Sequence, residues 1–282
     1  DAAGLLRMRL QTRWAARAEQ QSQSMILARI VESVGAADIK SPVKEIVRHL
    51  DTPILPVQMA TVGALSEIGG ASEAAEIEKK ISKSHWMLKR KMAQALARLT
   101  HENPTAGLFN LCEDPEALVR IAGVRALEGI RHEKAYNILL KSLEDPDERV
   151  RSSACVCLRD FAERREVQAK LFEMLHDTDA RVRANTIESL EVVLSRDPNE
   201  LRFRLKPFLA DPNARVVINA AKALLPQDPD TSMSLLEKYL SAPDANLRAG
   251  ALWALGHLRR PDAFLCLHFH SLQEKDPYVR GF

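Results

Sequence analysis

The sequence predicts an all-α fold: a right-handed α-α superhelix, or solenoid, of about nine helix pairs stacked along one axis. The main observation is a short phrase that returns along the chain. Each copy has a turn with Asp and often Pro, then an apolar residue usually followed by a basic one, then an alanine- and leucine-rich segment. The apolar residues, which we call anchors, are Val57, Leu88, Val119, Val150, Val182, Val216, Leu247 and Val279. Consecutive anchors lie 31 to 34 residues apart, a period typical of stacked-repeat proteins.

A second observation is that the positions after each anchor keep their character from copy to copy. The anchor and positions +4, +5 and +8 share one face of a helix, and small residues dominate at +4 and +7. Small residues there allow successive helices to approach closely, so we expect this face to form the core. Position +8 is always leucine: Leu65, Leu96, Leu127, Leu158, Leu190, Leu224 and Leu255.

Each repeat unit is predicted to contain two helices joined by a turn. In one unit the first helix covers residues 135–143, and the second runs from about Glu148 to Phe161. Pro146 suits the first position of the second helix, where its missing N–H costs nothing. We expect Asp145, just before it, to cap the exposed amides of that helix.

The domain organisation follows from the extent of the repeat. Ile26 lies one period before Val57, so the repeats are predicted to cover residues 21–282 as one domain. Residues 1–20 are predicted to form a basic amphipathic helix that either caps the array or lies beside a membrane. Because the last copy stops at Phe282, two residues into the predicted helix, we expect the array to be truncated at its C-terminal end.

Composition supports a large buried core and argues against nucleic-acid binding. Hydrophobic residues make up 46% of the chain. The net charge of +2 comes from residues 1–20, with four arginines and two acids, which leaves 36 basic and 36 acidic residues elsewhere. A duplex-binding protein needs a basic excess, because phosphate neutralisation supplies most of its affinity. The four cysteines lack a metal-type spacing, and we predict buried thiols in a reducing compartment.

The phrase as it stands in residues 145–158 resembles the HEAT-repeat superfamily, especially its short bacterial type, also called phycobilisome-lyase-type repeats. The resemblance extends from about residue 20 to the end of the chain. It implies the helical solenoid fold but leaves the function open. Members of the superfamily include scaffolds, regulatory modules, pigment lyases, DNA-repair glycosylases and metal-dependent hydroxylases.

No catalytic, cofactor or metal site is predicted. The hydroxylases of this superfamily hold two irons with four His-Glu pairs at positions +2 and +3 of the second helices. Here the two pairs, His101-Glu102 and His132-Glu133, fall at +13, in loops. The sequence also lacks a glycine-rich phosphate loop, a Gly-x-Ser-x-Gly motif and a zinc-protease motif.

A basic column directly follows the anchors and could suggest a phosphate-binding stripe. Acidic residues stand five positions before the anchors at Asp114, Asp145, Asp177 and Asp211, however. We therefore predict a structural ladder of ion pairs, a role that such pairs have in HEAT-like repeats. The basic residues are Lys89, Arg120, Arg151, Arg183, Arg248 and Arg280.

The partner-binding surface is predicted on the second helices, which line the concave side in HEAT-like arrays. Positions +2, +6 and +9 point away from the packing face, and the residues at +6 differ from copy to copy. Trp253 is the main anchor candidate, and its alternative role is to pack on neighbouring residues. The candidate partner-binding residues are Arg90, Gln94, Arg125, Glu188, Lys222 and Trp253.

These observations favour a non-catalytic scaffold or regulatory module that binds a protein partner, in the cytoplasm or at the cytoplasmic face of a membrane. Nucleic acid is disfavoured, and the oligomeric state stays open. Two alternatives remain. One is a HEAT-like enzyme of the bilin lyase or DNA glycosylase type. The other is a membrane-associated adaptor that attaches through residues 1–20 or through a flanking segment.

Overall fold

The computed structural model describes residues 25, 28, 29, 31, 43–256 and 261–280, and all regular structure within these ranges is helical. The predicted helix over residues 1–20 lies outside them. The chain forms two compact units, residues 1–135 and 136–282. In the described ranges, first and second helices alternate, with odd numbers for first helices and even numbers for second helices. The all-α class and the helix-pair repeat are therefore confirmed.

The helices of the first unit follow the predicted repeat closely. They are α1 (Val43–Arg48), α2 (Leu55–Ile68), α3 (Ala71–Glu78), α4 (Trp86–Leu99), α5 (Ala106–Leu111) and α6 (Ala117–Arg125). Short 3-10 helices cover His49–Asp51 and Ile81–Lys83. The second helices α2, α4 and α6 pack side by side in chain order.

The second unit continues the same alternation after α7 (Glu133–Ser142), the helix within which the first unit ends. Its 3-10 helices cover Leu158–Phe161 and Lys206–Ala210. The second helices α8, α10, α12 and α14 again contact one another in order. The helices are α8 (Glu148–Cys157), α9 (Arg165–Met174), α10 (Ala180–Val193), α11 (Pro198–Leu205), α12 (Ala214–Leu224), α13 (Pro229–Leu240), α14 (Ala245–Gly256), α15 (Pro261–Gln273) and α16 (Pro277–Arg280).

The core of each unit is built from the residues that the repeat predicts. Every leucine at position +8 is completely buried, and so are the anchors, except for Leu247, which is partly exposed. Gly123 shows why position +4 must be small. A Cβ atom added there would lie 2.7 Å from the backbone nitrogen of Cys112, next to the end of α5. The first and second helices of this repeat therefore approach to backbone contact.

The capping of the second helices differs from the prediction, although the predicted start near Glu148 is correct. Helix α8 begins at Glu148, and its N-cap is Asp147, whose carboxylate accepts a hydrogen bond from the Arg149 N–H at 2.9 Å. Asp145 instead accepts from the Asp147 N–H and closes the preceding turn, so Pro146 lies in that turn and not in the helix. The first acid shapes the turn and the second caps the helix, because each carboxylate reaches an amide two residues later.

The same two-step arrangement recurs at other turns. Asp177 accepts from the Asp179 N–H, and Asp179 caps α10. Asp211 accepts from the Asn213 N–H, and Asn213 caps α12. The recurring turn thus directs the chain into each of these second helices in the same way.

A search for membrane-spanning helices, restricted to the described ranges, finds none of the necessary length and apolar character.

Candidate functional site

The basic column after the anchors forms the predicted ladder. Lys89 pairs with Asp114 at 2.7 Å, and the other rungs join a basic residue to the acid that precedes the next anchor. All these side chains are only 6% to 18% exposed. The remaining pairs are Arg151–Asp177 at 2.8 Å, Arg183–Asp211 at 2.9 Å and Arg248–Glu274 at 2.8 Å. The ladder is confirmed, and these charges serve the stacking of repeats.

Each arginine of the ladder also binds its own turn. Arg151 contacts both carboxylate oxygens of Asp177, while its other guanidinium nitrogen donates to the Asp145 carbonyl at 2.9 Å. Burial alone would raise the pKa of Asp177, but the hydrogen bonds from Arg151 and the Asp179 N–H, together with the charges of Arg151 and Arg183, lower that pKa overall. In the copy anchored at Val216, Val217 stands at the basic position and Ala242 at the acidic position, so neither charge of the rung is present.

A first groove lies on the second-helix face of the first unit, and we call it the α4 groove. Its volume is about 610 Å³. It brings together Arg90, Gln94 and Arg125, three of the residues predicted from sequence. The full lining is Met59, Met87, Arg90, Lys91, Gln94, Ala97, Leu118, Ile121, Ala122, Arg125, Ala126 and Glu128.

Two cations of the α4 groove have defined positions. The Arg90 guanidinium lies over the Trp86 ring, 5.8 Å from its centroid. The Lys91 side chain lies against Gly63 of α2. A Cβ atom added to Gly63 would lie only 3.3 Å from the Lys91 Cε. Neither Arg90 nor Lys91 forms an ion pair with any residue of the described ranges. Their charges therefore face solvent at the groove.

A second groove lies on the second-helix face of the second unit, and we call it the α14 groove. Its volume is about 550 Å³, and it places Glu188 and Trp253 together. Trp253 packs partly against the core and also lines the groove, while its role as an anchor for a partner stays a prediction. Lys222 lies over its ring, 4.9 Å from the centroid. The lining is Glu188, Arg215, Ile218, Asn219, Asn246, Leu247, Ala249, Gly250 and Trp253.

The polar groups around the α14 groove bind one another. The Asn219 amide donates to the Glu188 carboxylate at 2.7 Å, and Lys222 pairs with Glu191 at 2.9 Å. Arg215 donates to the Asn185 side-chain oxygen at 3.1 Å. These contacts link adjacent second helices across this face. Most of the polar side chains named here therefore already have a hydrogen-bond or ion-pair partner within the protein.

Several lining residues were not anticipated from the sequence. Met87 and Asn246 stand one position before an anchor, while Lys91 and Asn219 stand at +3. Successive helical residues are about 100° apart, so positions −1, +2, +3 and +6 fall within about 100° of one another. This helical geometry could have identified positions −1 and +3 beside the predicted +2 and +6.

The remaining candidate groups form no reactive centre. Residues 101, 102, 132 and 133, the two His-Glu pairs, are exposed, and no cluster with the composition of a metal site occurs within the described ranges. Cys112, Cys155 and Cys157 are buried thiols. Burial raises the pKa of Cys112 and of Cys155 to about 12, which keeps both thiols protonated at neutral pH.

The sequence and the fold are similar to those of known repeat proteins. A family model described as HEAT repeats matches residues 74–159, 104–191, 139–225 and 203–281. A curated relative, phycocyanobilin lyase subunit alpha of Nostoc sp. (strain PCC 7120), is 30% identical over 181 residues. The match covers 62% of this chain, and the chain spans 57% of the length of that relative.

Two structures share the fold at low sequence identity. The X-ray structure of Escherichia coli YibA has a TM-score of 0.56 and 17% identity, covering 88% of this chain and 92% of that one. A chain in a homology model of the full-length AP-3 complex has a TM-score of 0.64 and 12% identity, covering 92% of this chain and 53% of that one. The resemblance inferred from the repeated phrase is confirmed: the protein belongs to the HEAT-repeat family.

Proposed function

We propose that this protein is a non-catalytic interaction module, a scaffold or regulatory subunit, that holds a protein partner against its second helices. The observation that carries the proposal is the pair of grooves on this face. The repeating side chains are used in the core and in the ladder, whereas the side chains that differ between copies meet in the α4 and α14 grooves. Such variable positions can be selected for a partner without loss of the stacking.

The chemistry of the grooves supports binding more than catalysis. Both combine apolar surface with a few polar groups, a combination typical of recognition sites. Among the described residues, no hydroxyl, thiol or imidazole side chain lines either groove, so serine, cysteine or histidine chemistry has no side chain to use in these linings. Arg125 and Trp253 belong to the residue types that most often anchor protein interfaces.

The proposed location is the cytoplasm or the cytoplasmic face of a membrane. The four cysteines of the chain form no disulfide with one another, and three of them are buried. This arrangement fits a reducing compartment.

Site-specific photo-crosslinking tests the proposal. A photoreactive residue is placed at Gln94 or Asn246, which line the two grooves, and at Asn110 or Glu237, which are exposed on first helices. We expect partner proteins to crosslink from the groove positions and not from the first-helix positions. The Arg125→Glu, Trp253→Ala double variant should lose the crosslinked partners. Retention of every partner by that variant would reject the second-helix face as the binding surface.

A second candidate function is bilin handling. It is favoured by the identity with a phycocyanobilin lyase subunit and by an α4 groove that combines basic and apolar side chains. The test adds phycocyanobilin to the purified protein and records its visible absorption spectrum. A saturable spectral change that Arg90→Glu and Arg125→Glu abolish would support it, and an unchanged spectrum would reject it.

A further inference from the structure

We infer that the α4 groove binds an acidic segment of a protein partner, in which carboxylates alternate with apolar side chains. The inference rests on the proposed function and adds the chemistry of the bound segment. It begins from the charge of the groove, whose lining contains Arg90, Lys91 and Arg125 but only one acid, Glu128.

Within the described ranges, the charges of Arg90 and Lys91 are not neutralised by an acidic side chain. Lys89, on the same helix, is neutralised by Asp114 in the ladder. Arg90 is held only over the Trp86 ring, and Lys91 only against Gly63. Two adjacent cations without an acidic partner repel each other, and a bound anion relieves that repulsion.

Comparison with the α14 groove sharpens this point. There Lys222 pairs with Glu191, and Glu188 accepts a hydrogen bond from Asn219. The cation that lines this groove, Arg215, donates to the Asn185 side-chain oxygen, and Glu188 in the same lining offsets its charge. The two grooves occupy equivalent faces of their repeats, but among the described residues the α4 lining has three cations against one acid, whereas the α14 lining has one of each. Electrostatic complementarity therefore predicts an anionic partner for the α4 groove.

The apolar part of the lining distinguishes an acidic peptide from nucleic acid. Met59, Met87, Leu118 and Ile121 line the groove, and Met87 is 41% exposed. Methionine side chains adapt to differently shaped apolar partners. A nucleic-acid backbone would leave these side chains without apolar contacts. It would also demand a basic excess that residues 21–282 lack, with 36 basic and 36 acidic residues.

The dimensions set the length of the segment. The groove crosses three second helices, α2, α4 and α6, and packed helices lie about 8–10 Å apart. It therefore spans roughly 20 Å, which corresponds to about six residues of extended chain. Two or three carboxylates in such a segment can reach the cations while its apolar side chains contact the methionines.

Fluorescence anisotropy with the full chain tests the inference. The probe is a fluorescein-labelled seven-residue peptide in which four Glu alternate with three Leu. The comparison peptides carry Lys in place of Glu, or Ala in place of Leu. We expect the acidic apolar peptide to bind, both comparison peptides to bind at least about tenfold more weakly, and the affinity to fall as salt is raised.

A charge-matched pair of variants identifies the surface. Arg90→Glu with Lys91→Glu should weaken binding of the acidic peptide by about tenfold or more. Lys79→Glu with Lys83→Glu changes the charge of the same unit equally, outside the groove, and should leave the affinity within about twofold. Circular dichroism melting of both variants checks that each remains folded. Equal binding by the groove variant and the wild type would overturn the inference.

The outcomes separate this inference from the proposed function. Crosslinks from Gln94 to a partner that is neutral or basic would overturn the acidic-segment inference and leave the interaction module standing. Absence of crosslinks from both grooves would overturn the proposed function as well. Phycocyanobilin binding at the α4 groove, without binding of the acidic peptide, would assign the groove to a pigment and overturn the acidic-segment inference.

Discussion

The ladder of ion pairs makes a measurable contribution to stability, and the Arg183–Asp211 rung tests it. The Arg183 guanidinium donates to both carboxylate oxygens of Asp211, at 2.9 Å each. It also donates to the Asp177 carbonyl at 2.9 Å. The two side chains of the rung are 13% and 6% exposed. An Arg183→Val variant would therefore leave a largely buried carboxylate without its cation.

The expected loss follows from these contacts. Removing one member of a buried ion pair costs about 3–5 kcal/mol, and the residual exposure together with the bond that Asp211 keeps to the Asn213 N–H reduces this to about 2–3 kcal/mol. At about 2–4 °C per kcal/mol, the melting temperature should fall by about 4–12 °C. Urea denaturation and calorimetry of the wild type and the variant measure both quantities.

A natural control lies in the neighbouring repeat, where Val217 and Ala242 occupy the same two positions. The Arg183→Val, Asp211→Ala double variant copies that repeat and removes both charges together. We expect it to recover at least half of the stability lost by the single variant, because no unpaired buried charge remains. A single variant as stable as the wild type, or a double variant less stable than the single one, would refute the reasoning.

Three further predictions concern acid stability, packing and thiol chemistry. The side-chain hydrogen bond from Arg149 lowers the pKa of Asp147 to about 2, so its stabilisation is complete above the unfolded pKa near 3.8 and is lost as the pH falls towards 2. Urea titrations should show a shallower decline over that range for Asp147→Asn. Gly123→Ala should lower the free energy of unfolding by about 1–3 kcal/mol, because the new methyl group meets the backbone of Cys112; an unchanged denaturation midpoint would contradict it. A thiol reagent at pH 8 should modify Cys155 only under unfolding conditions, since burial raises its pKa to about 12, and rapid labelling of the native protein would argue against that burial.

The agreement between sequence and structure is strongest where one position repeats many times. The leucines at +8 and the ladder were both recognisable, because leucine recurs at +8 after every anchor from Val57 to Leu247 and the ladder charges recur in most copies. The helix start near Glu148 was predicted correctly, but the capping role of Asp145 and the helical position of Pro146 were wrong. Proline tolerates both the first helical position and the middle of a turn, so the hydrogen bonds of Asp145 and Asp147 decide between the two.

The sequence predicted some of the residues that line the α4 groove and missed others. Arg90, Gln94 and Arg125 were chosen for their outward direction on the second helices, and the structure places them in one groove. Lys91 and Met87 were missed, because only positions +2, +6 and +9 were considered from sequence. Whether these residues bind a partner stays a prediction for the crosslinking and anisotropy experiments.

The sequence by itself determined the helix-pair repeat, the buried face and the ion-pair ladder, because these depend on period and helical geometry that every copy shares. Only the tertiary structure decided the surroundings of the charges outside the ladder, such as that of Lys91. Lys89 and Lys91 are two residues apart on α4 and indistinguishable by composition. They point about 200° apart around the helix, so Lys89 meets Asp114 of the next repeat while Lys91 lies against Gly63 of the preceding one.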